Sequence, residues 1–168
     1  MRPVAVLAAL LCASSPSLGQ ARAVSAGGGL GYALLSDGGS IRHGLSLGGH
    51  VHFALTESLM LGGIASYAVQ PEGGGTSHCG LVGGRLLGKL DVVQWVPFAT
   101  LDVGVWWHKL PAGSAGAELD VAFGLGLDYL FSRELAAGAL VRYHLLATDV
   151  SRFPGFLTAE VTFSYRWE

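Results

Sequence analysis

Residues 156–168 read FLTAEVTFSYRWE. Leu157, Ala159, Val161, Phe163, Tyr165 and Trp167 take every second position, and Thr158, Glu160, Thr162, Ser164 and Arg166 stand between them. Successive strand side chains point to opposite faces, so a period of two makes this a β-strand with one apolar and one polar face. A soluble barrel hides the apolar face inside, whereas a membrane barrel turns it outward to lipid. The direction of this alternation therefore decides the fold.

The same pattern recurs upstream as far as residue 24. One apolar face, face A, collects Val24, Ala26, Leu30, Tyr32 and Leu34, then Leu45, Leu47, Val51, Phe53 and Leu55, then Leu59, Leu61, Ala65, Tyr67 and Val69. A fourth strand over about 79–90 is blurred by glycines, and its face A is taken as Val82, Leu86 and Leu90, which puts Arg85 and Lys89 on the opposite face B. Strands five to seven follow from Ala99 to Trp107, Leu119 to Tyr129 and Leu135 to Tyr143, and the closing stretch makes eight. Connections such as TES (56–58), DVVQ (91–94) and FSRE (131–134) are short, while SDGGSIR, QPEGGGTSH, HKLPAGSAGA and ATDVSRFPG read as longer loops rich in Gly, Pro and Ser. Short turns at one end and long loops at the other predict an up-and-down antiparallel arrangement with strands of roughly 9–11 residues.

Composition narrows the medium. Charged residues are 13% of the 168-residue chain, against roughly 25% in an ordinary soluble domain, and mean hydropathy is +0.47. The net charge of −2, with Lys and Arg scattered singly, offers no basic stripe for nucleic acid. Residues 1–23, with Arg2, an apolar run from Val4 to Leu11 and small residues at Gly19, Ala21 and Ala23, predict a secretory signal peptide cleaved between about 19 and 23, followed by one domain over 24–168. The apolar run is too short to span a bilayer, and no later segment supplies a helical span. Cys12 lacks the small residues a lipidation site wants before it, which leaves Cys79 as a lone, structural thiol in the mature chain.

Face B settles the direction. It carries Gly27, Gly29, Gly31, Gly44, Gly48, Gly62, Gly104, Gly124, Gly126 and Gly138. Glycine is a poor strand residue against water but fits the crowded interior of a narrow barrel. Face A aromatics also sort by depth: Tyr32, Tyr67, Trp107 and Tyr143 toward the long loops, and Phe53, Trp95, Tyr129, Tyr165 and Trp167 toward the short turns. Two aromatic girdles are a membrane-barrel feature that a soluble ligand carrier has no reason to show. The expectation is an all-β, eight-stranded antiparallel up-and-down transmembrane β-barrel preceded by a cleaved signal peptide.

At this point the chain resembles the small eight-stranded outer-membrane barrels, the OmpA-like, OmpX-like and OmpW-like families, over about 24–168. The likeness rests on VPFATLDVGVWW, on FGLGLDYLFSRELAAGALVRYH and on the closing aromatic strand. It implies an outer-membrane location in a Gram-negative-type bacterium, contact with membrane lipid and lipopolysaccharide, a monomeric state, and insertion by the barrel-assembly machinery, which reads a terminal aromatic. Here Trp167 is penultimate and Glu168 last.

Face B predicts a lumen charge network of Arg85, Asp102, Glu118, Asp120, Arg142, His144 and Glu160, with Arg85 facing Asp102 and Arg142 held between Glu118 or Asp120 and Glu160. Such groups need one another in a poorly solvated interior. The expected role is structural or surface-exposed, with the lumen plugged and no cofactor or metal. His50 and His52 share one side of a strand, but two ligands do not make a zinc site. A narrow channel and a lipid-modifying enzyme are the competing readings. For the latter, His144 would need a nearby serine, and the next one, Ser151, falls in a loop.

Overall fold

In the computed structural model, residues 23–37, 40–72, 75–90, 94–109, 115–147 and 155–167 are described. The expected signal segment, Cys12, Ser151 and Glu168 lie outside them. The strands are β1 (Val24–Asp37), β2 (Ser40–Ala54), β3 (Leu59–Glu72), β4 (Gly75–Lys89), β5 (Trp95–Lys109), β6 (Ala115–Leu130), β7 (Leu135–Leu146) and β8 (Gly155–Trp167). Each pairs antiparallel with its sequence neighbour, and β1 pairs with β8 to close the barrel. The closing stretch FLTAEVTFSYRWE thus lies along the first strand, with Leu30 opposite Val161 and Val24 opposite Trp167.

Face A turns outward on all eight strands. Leu125 is 72% exposed and Phe163 59%, whereas Arg142 and Asp102 on face B are 3% and 0% exposed. Strand β4 keeps the register read from its sequence, with Val82 and Leu86 outside and Arg85 inside. A wall of this composition is unstable against water and suited to hydrocarbon. The inward glycines answer to close packing. A Cβ on Gly62 would meet the Val51 carbonyl and the His52 ring, and one on Gly126 would meet the Phe98 ring.

The connections differ from expectation. The β1–β2 ladder runs to Asp37 opposite Ser40, and the β3–β4 ladder to Glu72 opposite Gly75. Most of SDGGSIR and QPEGGGTSH is therefore strand, and only residues 38–39 and 73–74 separate those partners. The strands run 12 to 16 residues, longer than the expected 9–11. At ~3.3 Å per residue and a tilt of ~40°, a strand of 15 residues climbs roughly 38 Å, beyond an apolar band of ~25 Å. The surplus lies at the end reached by the β1–β2, β3–β4, β5–β6 and β7–β8 connections, here called the loop end. Trp95 and Trp167 stand at the very ends of their strands at the opposite, turn end, while Tyr32 and Tyr67 lie well inside theirs.

Candidate functional site in the lumen

The lumen has two contrasting halves. Toward the loop end it is filled by Ala33, Leu35, Ile64, Ala68, Cys79, Leu81, Trp106, Leu146 and Phe156, all nearly or fully buried. Trp106 lies 6.4 Å from the Phe156 ring and 4.9 Å from the His108 ring. Parity alone places Trp106 inside and Trp107 outside, a signal available in the sequence but overshadowed there by the glycines and charges. The apolar plug is the element that sequence reasoning missed.

Mid-depth is ionic. The Arg85 guanidinium donates in a fork to Asp102, Nε to Oδ1 and Nη2 to Oδ2, both at 2.7 Å. Arg142 Nη1 lies 3.7 Å from the same Asp102 Oδ2, and its Nη2 donates to Glu160 Oε1 at 2.5 Å. Ser46 Oγ adds a hydrogen bond to Glu160 Oε1 at 3.2 Å. Two cations and two anions thus form one neutral chain across the lumen, and every member is under 10% exposed. Glycines make the room: a Cβ on Gly124 would sit 2.9 Å from Arg142 Cγ, and one on Gly31 2.7 Å from Glu160 Cγ.

Two of the expected pairings differ. Arg142 meets Glu160 and Asp102, and neither Glu118 nor Asp120 holds it. Asp120 instead accepts a 2.9 Å hydrogen bond from His144 Nδ1, whose ring lies 4.8 Å from that of Phe156. The reason is register. Arg142 is level with Gly124 on β6, four residues and so two repeats of the pleat below Asp120, and a narrow lumen lets it reach β5 directly. Glu118 is half-buried, opposite Trp106 on β5.

Below the ionic chain the lumen opens at the turn end into a vestibule with a free volume near 60 Å³, room for a few waters, lined in part by His50, His52, Lys89, Asp128 and Arg166. The two histidine rings stack at 4.6 Å. Among the described residues no three His, Cys, Asp or Glu side chains converge in a metal-binding cluster.

On the outer wall, Tyr32, Tyr67, Trp107 and Tyr143 form the upper aromatic belt, and Trp95, Tyr165 and Trp167 are exposed in the lower one. Tyr129 is half-buried, because it packs edge-on against Trp95 at 4.9 Å and Phe131 at 5.0 Å. Tyr165 donates a 2.9 Å hydrogen bond to Glu134 in the β6–β7 turn.

A closed eight-stranded meander, an apolar outer wall between aromatic belts and a filled lumen define the architecture. The chain has the fold of the small eight-stranded outer-membrane barrels. Among solved structures, Neisserial surface protein A superposes with a TM-score of 0.69 at 12% identity, covering 86% of this chain and 97% of that one. The N-terminal β-barrel domain of Pseudomonas aeruginosa OprF gives 0.65 at 14%, covering 88% and 100%. The outer membrane enzyme PagL gives 0.52 at 16%, covering 84% and 97%. No protein-family model matches the sequence, and no curated protein sequence does. At these identities the shared property of this eight-stranded barrel and its neighbours is the fold.

Proposed function

We propose that the protein is a monomeric integral outer-membrane barrel of a Gram-negative-type bacterium, with a closed lumen and a structural, surface-presenting role. The observation that carries this reading is the double filling of the lumen, an apolar plug stacked on a neutral ion-pair chain, which supports a sealed barrel over a solute channel. An eight-stranded interior is just wide enough for side chains. Strand ladders that outrun the apolar band carry paired strand beyond the outer aromatic belt, and this favours presentation at the surface. Ring closure leaves no edge strand to recruit a second copy, which favours a monomer. His144 faces the lumen and is engaged by Asp120, which argues against its serving as a general base on the lipid side. The closing strand, with Trp167 exposed beside β1, suits recognition by the barrel-assembly machinery.

The test pairs two measurements. The processed chain is expected in the outer-membrane fraction, migrating faster on SDS gels before boiling than after. Planar bilayers containing it are expected to stay silent. Recovery as a soluble periplasmic species would overturn the membrane reading, and steady conductance would overturn the sealed lumen.

A further inference from the structure

The outer wall is almost free of ionisable side chains, and the exceptions are not scattered. Among the described outward-facing strand residues, those of the Lys, Arg, His, Asp and Glu types are His43 on β2, His78 on β4 and Lys109 on β5. All three carry N–H donors, and all lie at the loop-end rim, level with or beyond the upper aromatic belt. A basic group on a hydrocarbon-facing wall is costly unless it reaches the interface and meets an anion there.

Two of the three are built into the same device. Tyr32 Oη lies 2.6 Å from His43 Nδ1, and Tyr67 Oη lies 2.5 Å from His78 Nδ1. The tyrosines and histidines repeat at the same separation, each pair spanning one hairpin. A phenol donating to Nδ1 fixes the ring proton on Nε2 and leaves that N–H as a donor. Among the described residues, the second device alone has a lysine opposite its histidine: His78 stands directly opposite Lys109 in the β4–β5 ladder. Opposed side chains in such a ladder start ~5 Å apart at Cβ, close enough to share one acceptor. The Trp107 ring lies 6.0 Å from that of Tyr67 and covers Gly80, where any Cβ would collide with it. Directly toward mid-depth the same strands expose Val82, Val103 and Val105.

We propose that His78 and Lys109, backed by Tyr67 and Trp107, bind the phosphate of an outer-leaflet lipid. The chemistry matches at each level: two N–H donors for a phosphate, two aromatic rings at headgroup depth, and a bare aliphatic wall below for acyl chains. That continuous apolar wall favours a phosphate attached to a lipid over one free in solution. The inference rests on the barrel standing in a membrane with face A toward lipid.

The purified full-length mature barrel in nonionic detergent provides the test, by titrating bis-phosphorylated lipid A and following the thermal unfolding midpoint. Phosphatidylcholine and inorganic phosphate serve as separate arms. Lipid A is expected to raise the midpoint of the wild type and of His43→Ala, whose clasp lacks a lysine. Lys109→Gln and His78→Ala are each expected to weaken the apparent affinity about tenfold, as for loss of one charge-assisted hydrogen bond, and Lys109→Arg to restore it. Lys109→Gln keeps the aliphatic stem, so its midpoint without lipid should equal that of the wild type. Equal affinity in all variants would overturn the proposal. So would an equal shift with phosphatidylcholine, or with inorganic phosphate alone. A barrel that needs detergent yet ignores lipid A sinks this inference only, whereas a barrel that stays soluble without detergent sinks the membrane reading beneath it.

Discussion

The loop-end and mid-depth halves of the lumen are lined with opposite materials. Leu35, Leu81, Trp106, Leu146 and Phe156 fill the first by shape. Arg85, Asp102, Arg142 and Glu160 fill the second by charge. The apolar plug loses packing when a member is truncated, and no second truncation gives that packing back. The ionic chain loses neutrality, which removal of the opposite partner restores. Both halves are buried, but only the ionic one has a compensating mutation.

Asp102 is the sharpest point at which to break that contrast, because it serves both arginines. Asp102→Ala would strand the Arg85 guanidinium in a buried interior and leave Arg142 on Glu160 alone, and unfolding of the vesicle-inserted barrel in denaturant should show a loss in the 3–5 kcal/mol range typical of breaking a buried pair, about 5 kcal/mol. A loss under about 1 kcal/mol would mean that water screens the site and that the half is not sealed. In the plug, Trp106→Ala removes the largest fully buried side chain and should cost about 3–4 kcal/mol, as cavity-forming aromatic truncations do. If it costs nothing measurable, the plug is loosely packed and the contrast fails on that side.

An arginine on the outer wall separates inside from outside. Arg142 is accommodated inside by Asp102 and Glu160, but Phe163→Arg at mid-depth would face hydrocarbon with no partner. It should cost about 2–4 kcal/mol, and Phe53→Arg in the lower belt about 0–1 kcal/mol. Equal costs at the two depths, measured by the same unfolding assay, would show that face A does not meet a bilayer.

How much of this was legible follows from the range of each interaction. Face A could be read because period two survives in every strand, even through the glycines of β4. The Arg85–Asp102 pair could be read because the two residues are directly opposed in one ladder. The second partner of Arg142 could not. Asp102 is on β5 and Arg142 on β7, so their contact passes over β6 rather than along a ladder, and it depends on the curvature that closure imposes. Glu160 was expected beside Arg142 and is found there, although the residue level with Arg142 on β8 is Thr158 and the ion pair runs diagonally. The loop-end hairpins misled for a local reason: glycine-rich segments have the composition of loops, yet here they continue as paired strand up to the last two residues. The plug was hidden because its members come from six strands, only one or two apolar residues from each inward face.

The smallest effect is also the most diagnostic of the two materials, the coupling between Arg142 and Glu160. Arg142→Ala leaves Glu160 with only the Ser46 hydroxyl and Asp102 with only Arg85. Glu160→Ala leaves Arg142 leaning on an Asp102 oxygen already committed to Arg85 at 2.7 Å. Each single change unbalances a neutral chain, whereas the double change leaves the Arg85–Asp102 fork intact and neutral. The double variant should therefore be more stable than the summed single losses imply, by about 1–3 kcal/mol of coupling. The same cycle on Trp106 and Phe156 should show no comparable rescue, because removing the second ring adds empty volume and relieves no charge. If the ionic cycle closes with no coupling, ions and water reach Arg142, and its half of the lumen is a solvated pore that the apolar plug alone holds shut.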